Sequence, residues 1–368
     1  MRVLGFMTGT SLDAVDMAVL ETDGEAIAAF GPAGERKLSE ATRDLMLAAT
    51  EQALKWPRGA PEPAIFAEAA QAGAAEHFVA AEEFLATHGL AWSDIELVGM
   101  HGQTVLHERP QNGRAGRTVQ LGDAQWLATR TGVPVAHDFR TADVAAGGEG
   151  APLAPAYHAA RARFDGVKPP LGVLNIGGVA NLTVWSGGDD FAAFDTGPGN
   201  GMIDLMVQAR GAGRYDAGGG FASVGRVDAG VLAGLLAHPY FQASPPKSLD
   251  RYDFPLDPLD RLQLEDAAAT LVAFTAEAVR LGVELMAAAP REVVVTGGGR
   301  LNPQIMKALA ERLPMPVRAA EDLGWRGDSI EAEAIAYLAA RTANGLPISF
   351  PKTTGVAAPI TGGRIVRP

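Results

Sequence analysis

Twice in this chain an apolar run ends in glycine and small residues and turns directly back into a second apolar run. Val3-Leu4-Gly5-Phe6-Met7 meets the tip Thr8-Gly9-Thr10-Ser11 and returns as Val15 to Leu20. Later, Val173-Leu174-Asn175-Ile176 meets Gly177-Gly178 and returns as Ala180-Asn181-Leu182-Thr183-Val184-Trp185. Apolar runs bounded by such turn residues predict buried strands joined as hairpins. The two share form but little identity, an architectural echo rather than a sequence repeat, and they predict two related halves. A length of 368 residues also predicts about two domains.

Strands and helices alternate between and after the hairpins. Helical stretches are expected from Leu38 to Leu54 and from Ala64 to Thr87, with Gly89 as a stop, and from Asp123 to Arg130, closed by Gly132. Strands at Ile95 to Met100 and Val133 to Ala136 deliver His101 and the segment His137-Asp138-Phe139-Arg140. Leu271, Phe274, Thr275, Ala278, Gly282 and Leu285 follow helical spacing. Val293-Val294-Val295 runs into Thr296-Gly297-Gly298-Gly299, after which Asn302-Pro303 supplies an N-cap and first-turn proline for a helix through Leu313. Such alternation predicts α/β layers. The glycine-rich loop Ala145 to Pro152 is expected to lie between the halves as a hinge.

Composition removes several chemistries. The chain has no cysteine, so disulfides, thiolate zinc sites, iron–sulfur clusters and a cysteine nucleophile are excluded, and a reducing cytoplasm suits it. The apolar stretch before Thr8 is too short for a secretory segment, and no run approaches a membrane span. A formal charge of −12 without any Lys/Arg cluster argues against nucleic acid and anionic lipid as partners. A small-molecule enzyme is the expectation. No Gly-Lys dipeptide occurs, which excludes a P-loop, and Asn302 stands where a dinucleotide fingerprint needs its third glycine.

Several segments carry candidate chemistry. At the first hairpin tip, Gly9, Thr10, Ser11, Leu12, Asp13, Ala14, Val15 and Asp16 combine small residues, hydroxyl donors and two carboxylates. That set suits phosphate oxygens, with Asp13 or Asp16 holding Mg²⁺ through water, and equally suits an ordinary turn. Gly177-Gly178 and Gly297-Gly298 with Asn302 are either nucleotide-facing or tight connections. Phe191 to Phe194 reads as a strand that leaves Asp195 at its carboxyl end, as a general base or as a cap for the next helix, with Thr196 to Gly201 keeping the space around it open. His101, Gln103, Thr104, His107 and Arg140 bring together the mixed donors and acceptors that sugar hydroxyls need; no metal-ligand spacing is present among them. Asp328 and Glu331 nearly form a capping box, so Glu331 is either part of a cap or a ligand contact.

Together the segments GFMTGTSLDAVD, HGQTVLH, QLGDAQWLATRTGVPV, DFRTADVAAGGEGAPLAPAYH, NIGGVANLT, FDTGPGNGMID, TGGGRLNP and LPISFPKTTGV resemble the anhydro-N-acetylmuramic acid kinase family, in family order over nearly the whole chain. The resemblance implies an actin-like ATPase (ribonuclease-H-like) α/β fold. Each of its two domains carries a mixed sheet and helices, with boundaries at 1–140 plus 329–368 and at 141–328 and an active site in the interdomain cleft. It also implies a cytoplasmic kinase that uses ATP, Mg²⁺ and water to open 1,6-anhydro-N-acetylmuramic acid and phosphorylate O6. By the same resemblance Gly9 to Asp16 hold the ATP phosphates, and Gly177, Gly178, Gly297, Gly298 and Asn302 lie on the nucleotide side. Asp195 activates the water. His101, Gln103, Thr104, Arg140 and Glu331 face the sugar, Arg140 pairing with its lactyl carboxylate.

The expected partners are small molecules, with a homodimer as the one macromolecular option. A kinase for another anhydro sugar such as levoglucosan, or an actin-like ATP-binding module without a sugar substrate, are the competing readings. Three departures from the family pattern bear on the site, the first being Thr8 where serine is common. Ala14 stands where glycine is common, and costs about 1 kcal/mol if its φ is positive. The segment Lys247-Ser248-Leu249-Asp250-Arg251 lacks the glycine that often follows Lys-Ser, leaving its sugar-side role open.

Overall fold

The computed structural model describes residues 1–9, 12–110, 113–249 and 253–368. The chain divides into two compact units, residues 1–165 with 329–368, and residues 166–328. In the first unit β1 (Arg2–Thr8) pairs antiparallel with β2 (Ala14–Thr22), and β2 with β3 (Ile27–Lys37). On the other side of β1 lies β4 (Leu97–Met100), in parallel. β5 (Gln103–Glu108) and β6 (Arg117–Leu121) form a separate two-stranded sheet. β7 (Val135–His137) extends the main sheet parallel to β4, and the C-terminal strand Arg364–Val366 closes that edge.

In the second unit β8 (Leu171–Ile176), β9 (Val179–Gly187) and β10 (Asp190–Pro198) form an antiparallel meander. Beyond β8, β11 (Glu292–Thr296) and β12 (Val317–Ala319) add in parallel. The order β3-β2-β1-β4-β7 of the first sheet therefore recurs as β10-β9-β8-β11-β12 in the second. The repeated hairpin is one part of a repeated sheet. β4, β8 and β11 read as nearly continuous apolar runs because helices cover both faces of such sheets.

One helix, Ile330–Ala343, closes the first sheet. A Cβ on Gly5 of β1 would stand 2.1 Å from the Ala332 carbonyl oxygen, and one on Gly99 of β4 would stand 2.7 Å from that of Ile335. The two glycines are register partners, so together they form a flat patch on which the helix backbone rests. The helix answers with Ala332, Ala336 and Ala339, all fully buried.

The same helix fixes where the first unit ends. Fully buried Glu333 accepts the hydroxyl of Tyr157 and, at 3.3 Å, Arg161 Nη1. Burial and the Glu333 carboxylate raise the Tyr157 pKa, so its hydroxyl stays a donor. Arg161 also reaches Asp165 at 2.7 Å and lies 4.0 Å over the Phe30 ring. Helix Pro155–Phe164 thus belongs to the first unit, and the chain leaves that unit after Asp165 rather than at 141. The loop expected as a hinge is pinned within the same unit. Gly150 N donates to Asp143 Oδ1 at 2.6 Å, Gly148 N to Asp143 O at 2.9 Å and Glu149 N to Thr354 O at 2.7 Å. Among the described residues no helix is long and apolar enough to cross a membrane.

Gly5→Ala is expected to destabilise the protein by about 1–3 kcal/mol, because the helix must lift off β1. Gly34→Ala, whose Cβ would meet the Phe84 ring no closer than 3.6 Å, serves as the control and should leave the thermal midpoint unchanged or slightly raised. Equal midpoints for the two variants would refute the close-approach account.

Candidate active site

The first hairpin tip begins where β1 ends. Thr10 and Ser11 lie outside the described residues. Gly9 O accepts Leu12 N at 3.1 Å, and Leu12 is buried with φ 54. Ala14, by contrast, starts β2 opposite Lys37 in extended backbone, so the strain expected there falls on Leu12 instead. Asp13 is exposed, its Oδ1 accepting Ala14 N at 3.1 Å, and Asp16 is half-buried in β2. Thr8 is anchored from below: its hydroxyl lies 3.3 Å from His77 Nε2, while His77 Nδ1–H donates to Gly73 O at 2.6 Å. Burial lowers the His77 pKa, keeping it neutral as that arrangement requires. His77 gave no sequence signal beyond a histidine on a helix face.

Past β4, His101 and Arg140 form a tight pair. His101 Nδ1–H donates to Gly102 O at 2.7 Å, which leaves Nε2 to accept Arg140 Nε at 3.1 Å and Nη2 at 3.0 Å. Burial, reinforced by the Arg140 charge, lowers the His101 pKa to about 3. Arg140 Nη1 donates to Gly150 O at 2.6 Å. The guanidinium is therefore aimed by the protein itself. Beside it, His107 Nε2–H donates to Glu149 O at 2.9 Å, and burial lowers its pKa to about 4.

Gln103 and Thr104 open β5. Gln103 is buried and its Oε1 has no hydrogen-bond partner among the described residues, while Gln120 Nε2 reaches Thr104 Oγ1 at 3.4 Å. A cavity of about 270 Å³ lined by His101, Thr118, Gln120, Asp138 and Thr141 lies alongside. Glu331 is exposed, in the otherwise buried first turn of helix Ile330–Ala343. The capping box expected there does not form: Ser329 is the N-cap, without a side-chain bond, and Asp328 Oδ1 instead takes Arg300 Nη2 at 2.8 Å.

In the second unit Asp195 is only 8% exposed. It lies within β10 rather than at its end, at a register shift before Gly197, and such irregularities re-aim a side chain. Its Oδ1 accepts Asn181 Nδ2 at 2.8 Å and its Oδ2 accepts Leu249 N at 2.8 Å. Its main chain is also held, N donating to Lys247 O at 3.0 Å and O accepting the Tyr240 hydroxyl. Asp195 caps no helix, because Gly199 holds the N-cap of helix Asn200–Ala209. The segment Lys247 to Leu249 thus has a task that sequence reasoning missed. Lys247 itself is buried, Nζ donating to Tyr240 O at 2.9 Å and lying 4.4 Å over the Tyr240 ring, and burial lowers its pKa.

The glycines after Asp195 do not keep space open; they close it. A Cβ on Gly199 would stand 2.4 Å from Gly177 O, and one on Gly201 2.7 Å from Gly178 O. Asn200 N donates to Gly177 O at 2.8 Å, and Gly201 N to Gly178 O at 3.1 Å, so the β8–β9 turn and the start of the helix form one bonded unit. Gly297, at φ 72, abuts Asn175, and Arg300 holds this turn through a 2.9 Å bond from Nη1 to Gly297 O and a 2.8 Å pair with Glu321. Asn302 Oδ1 caps helix Pro303–Arg312 by accepting Gln304 N at 3.0 Å.

The buried histidines make stability pH-dependent in a definite sense. Each is neutral when folded and must take up a proton in the unfolded chain below its ordinary value near 6.5. Their contribution is complete above about pH 6.5 and is lost as pH falls toward 4, at about 1.4 kcal/mol per pH unit for each group. His101→Asn should flatten the decline of unfolding free energy between pH 6 and pH 4.5 by that slope in denaturant melts. An unchanged slope would mean that His101 is not held neutral.

A protein-family model described as anhydro-N-acetylmuramic acid kinase matches residues 1–368. The anhydro-N-acetylmuramic acid kinase of Phenylobacterium zucineum is 77% identical over 368 residues, all of both chains. That of Caulobacter vibrioides is 69% identical over 366 residues, spanning all of this chain and 99% of the relative. That of Rhizobium rhizogenes is 49% identical over 364 residues, 98% of each chain. On a match that spans its whole length, this chain belongs to the anhydro-N-acetylmuramic acid kinase family.

Proposed function

We propose that this chain converts 1,6-anhydro-N-acetylmuramic acid, ATP and water to N-acetylmuramic acid 6-phosphate and ADP. Membership of the family over the full length supports the substrate. The observation that carries the chemistry is the Asp195 carboxylate, held among the described residues by Asn181 Nδ2 on Oδ1 and Leu249 N on Oδ2, with almost no exposure. A carboxylate fixed in this way is suited to take a proton from water as the water oxygen bonds to the anomeric carbon. The bond from that carbon to O6 breaks, freeing O6. O6 then bonds to the γ-phosphorus, and the bond from that phosphorus to the bridging oxygen breaks to release ADP. Asp195 afterwards returns its proton to solvent.

The remaining residues bind and orient. Phosphoryl transfer asks for positioning and charge neutralisation rather than a protein nucleophile. The hairpin segment Gly9 to Asp16 is the part assigned to the phosphates, and the turns at Gly177-Gly178 and Gly297-Gly298 with Asn302 are assigned to the nucleotide. Arg140, already aimed by His101 and Gly150, supplies positive charge for the lactyl carboxylate. Gln103 Oε1, buried without a partner among the described residues, is suited to a substrate donor, since leaving it unmet costs about 1–3 kcal/mol. Thr104 and Glu331 complete the sugar contacts.

Asp13 or Asp16 would hold a magnesium ion through water. Both offer hard oxygen donors at or beside the hairpin tip, and Asp13 is exposed there. Magnesium is commonly held by one or two carboxylates together with substrate phosphates. When bound, it neutralises charge on the β- and γ-phosphates. A cytoplasmic location suits a reaction that consumes ATP.

Purified protein with Mg-ATP and 1,6-anhydro-N-acetylmuramic acid should release ADP only when the sugar is present, and phosphorus NMR with mass measurement should identify a 6-phosphate carrying one added water. Asp195→Asn should lower turnover by about 10²–10⁴-fold while ATP affinity is retained. Failure of sugar-dependent ADP release in a folded, ATP-binding sample would overturn the reading.

A further inference from the structure

Four polar side chains stand in a straight row across the second sheet. Asp195 of β10 is the register partner of Asn181 in β9, Asn181 of Asn175 in β8, and Asn175 of Thr296 in β11. Directly paired residues present their side chains on the same face, so the row is continuous. It interrupts strands that are otherwise largely apolar and buried. Two of its three neighbouring pairs are bonded side chain to side chain: Asn181 Nδ2 donates to Asp195 Oδ1 at 2.8 Å, and Thr296 Oγ1 to Asn175 Oδ1 at 3.4 Å. The row ends at the Gly297 turn, where a Cβ would come within 2.3 Å of Asn175 Oδ1.

We infer that Asn181 is the positioning residue of the general base, setting the plane of the Asp195 carboxylate. The inference rests on the reading of Asp195 as that base. The terminal torsion of an aspartate is broad, so a lone carboxylate has no fixed plane with which to aim a lone pair. Leu249 N fixes Oδ2, and Asn181 Nδ2 fixes Oδ1. Two donors on two different oxygens define the plane. The task needs a neutral side chain with an N–H donor: leucine at 181 would leave Oδ1 without this donor, and aspartate would set a second carboxylate against the first. Asn181 itself is half-buried and Asp195 buried, so the bond is partly shielded from competing water.

The test uses the full-length enzyme with Asn181→Ala, the near-isosteric Asn181→Asp, and Asp195→Asn as the control, and reads kcat, both KM values and the thermal midpoint. Both Asn181 variants should lose about tenfold or more in kcat with KM for ATP and for the sugar within about twofold of wild type, Asn181→Asp being the slower. A residue that only filled space would let Asn181→Asp keep wild-type kcat, and that result would overturn the inference. So would a loss confined to KM, or one matched by the unfolded fraction. If Asp195→Asn retains full turnover, the assignment of the base fails and takes this inference with it. If Asp195→Asn is inactive while both Asn181 variants turn over normally, the inference alone fails.

Discussion

The first unit depends on a contact between main chains. Helix Ile330–Ala343 reaches β1 and β4 only because Gly5 and Gly99 leave no Cβ in its way. The consequence extends past packing. β1 runs on to Thr8 and the hairpin tip, and β4 runs on to Met100 and His101, so the two loops assigned to phosphate and sugar leave from strands seated by a single helix. That helix also carries Glu333, which gathers Tyr157 and Arg161 and settles where the unit ends. Breaking a buried pair of this kind by removing one partner is severe, because an uncompensated charge stays behind.

The second unit meets a different demand. Its central residue is the buried carboxylate of Asp195, gripped through both side chain and main chain. Asn181 and Leu249 N serve the two oxygens, and Tyr240 with Lys247 O holds the main chain at the register shift. The first unit shows the complementary case, in which His77, His101 and His107 are neutral acceptors and donors in fixed tautomers.

Much of this was legible beforehand because it is local. Both hairpins, the strand that delivers His101, the cap at Asn302 and the left-handed stop at Gly132 follow from short-range rules. What escaped reading depends on register and tertiary contact. Nothing in the run from Ala180 to Trp185 says that Asn181 faces Asp195, since a shift of one residue would turn it to the other face. Glycines 199 and 201 were read as openness because glycine serves open loops and close contacts alike, and only the carbonyls of Gly177 and Gly178 distinguish them. Asp328 resembled a cap until Arg300, 28 residues earlier, claimed it. Helix Pro155–Phe164 gave no sign of its unit because polar residues, Tyr157 and Arg161, make the decisive bonds.

The chain order of the two units has a consequence for synthesis. Residues 166–328 form a continuous stretch and are complete before residues 329–368 are made, whereas the first unit is split around them. β1 leaves the ribosome before that stretch, yet its glycine patch is covered only by residues 330–343, which follow it. Until then an apolar sheet face lacks its helix, the kind of transient exposure that chaperones shield. Truncation near the C-terminus would therefore damage the oldest part of the nascent chain and spare the unit made just before it.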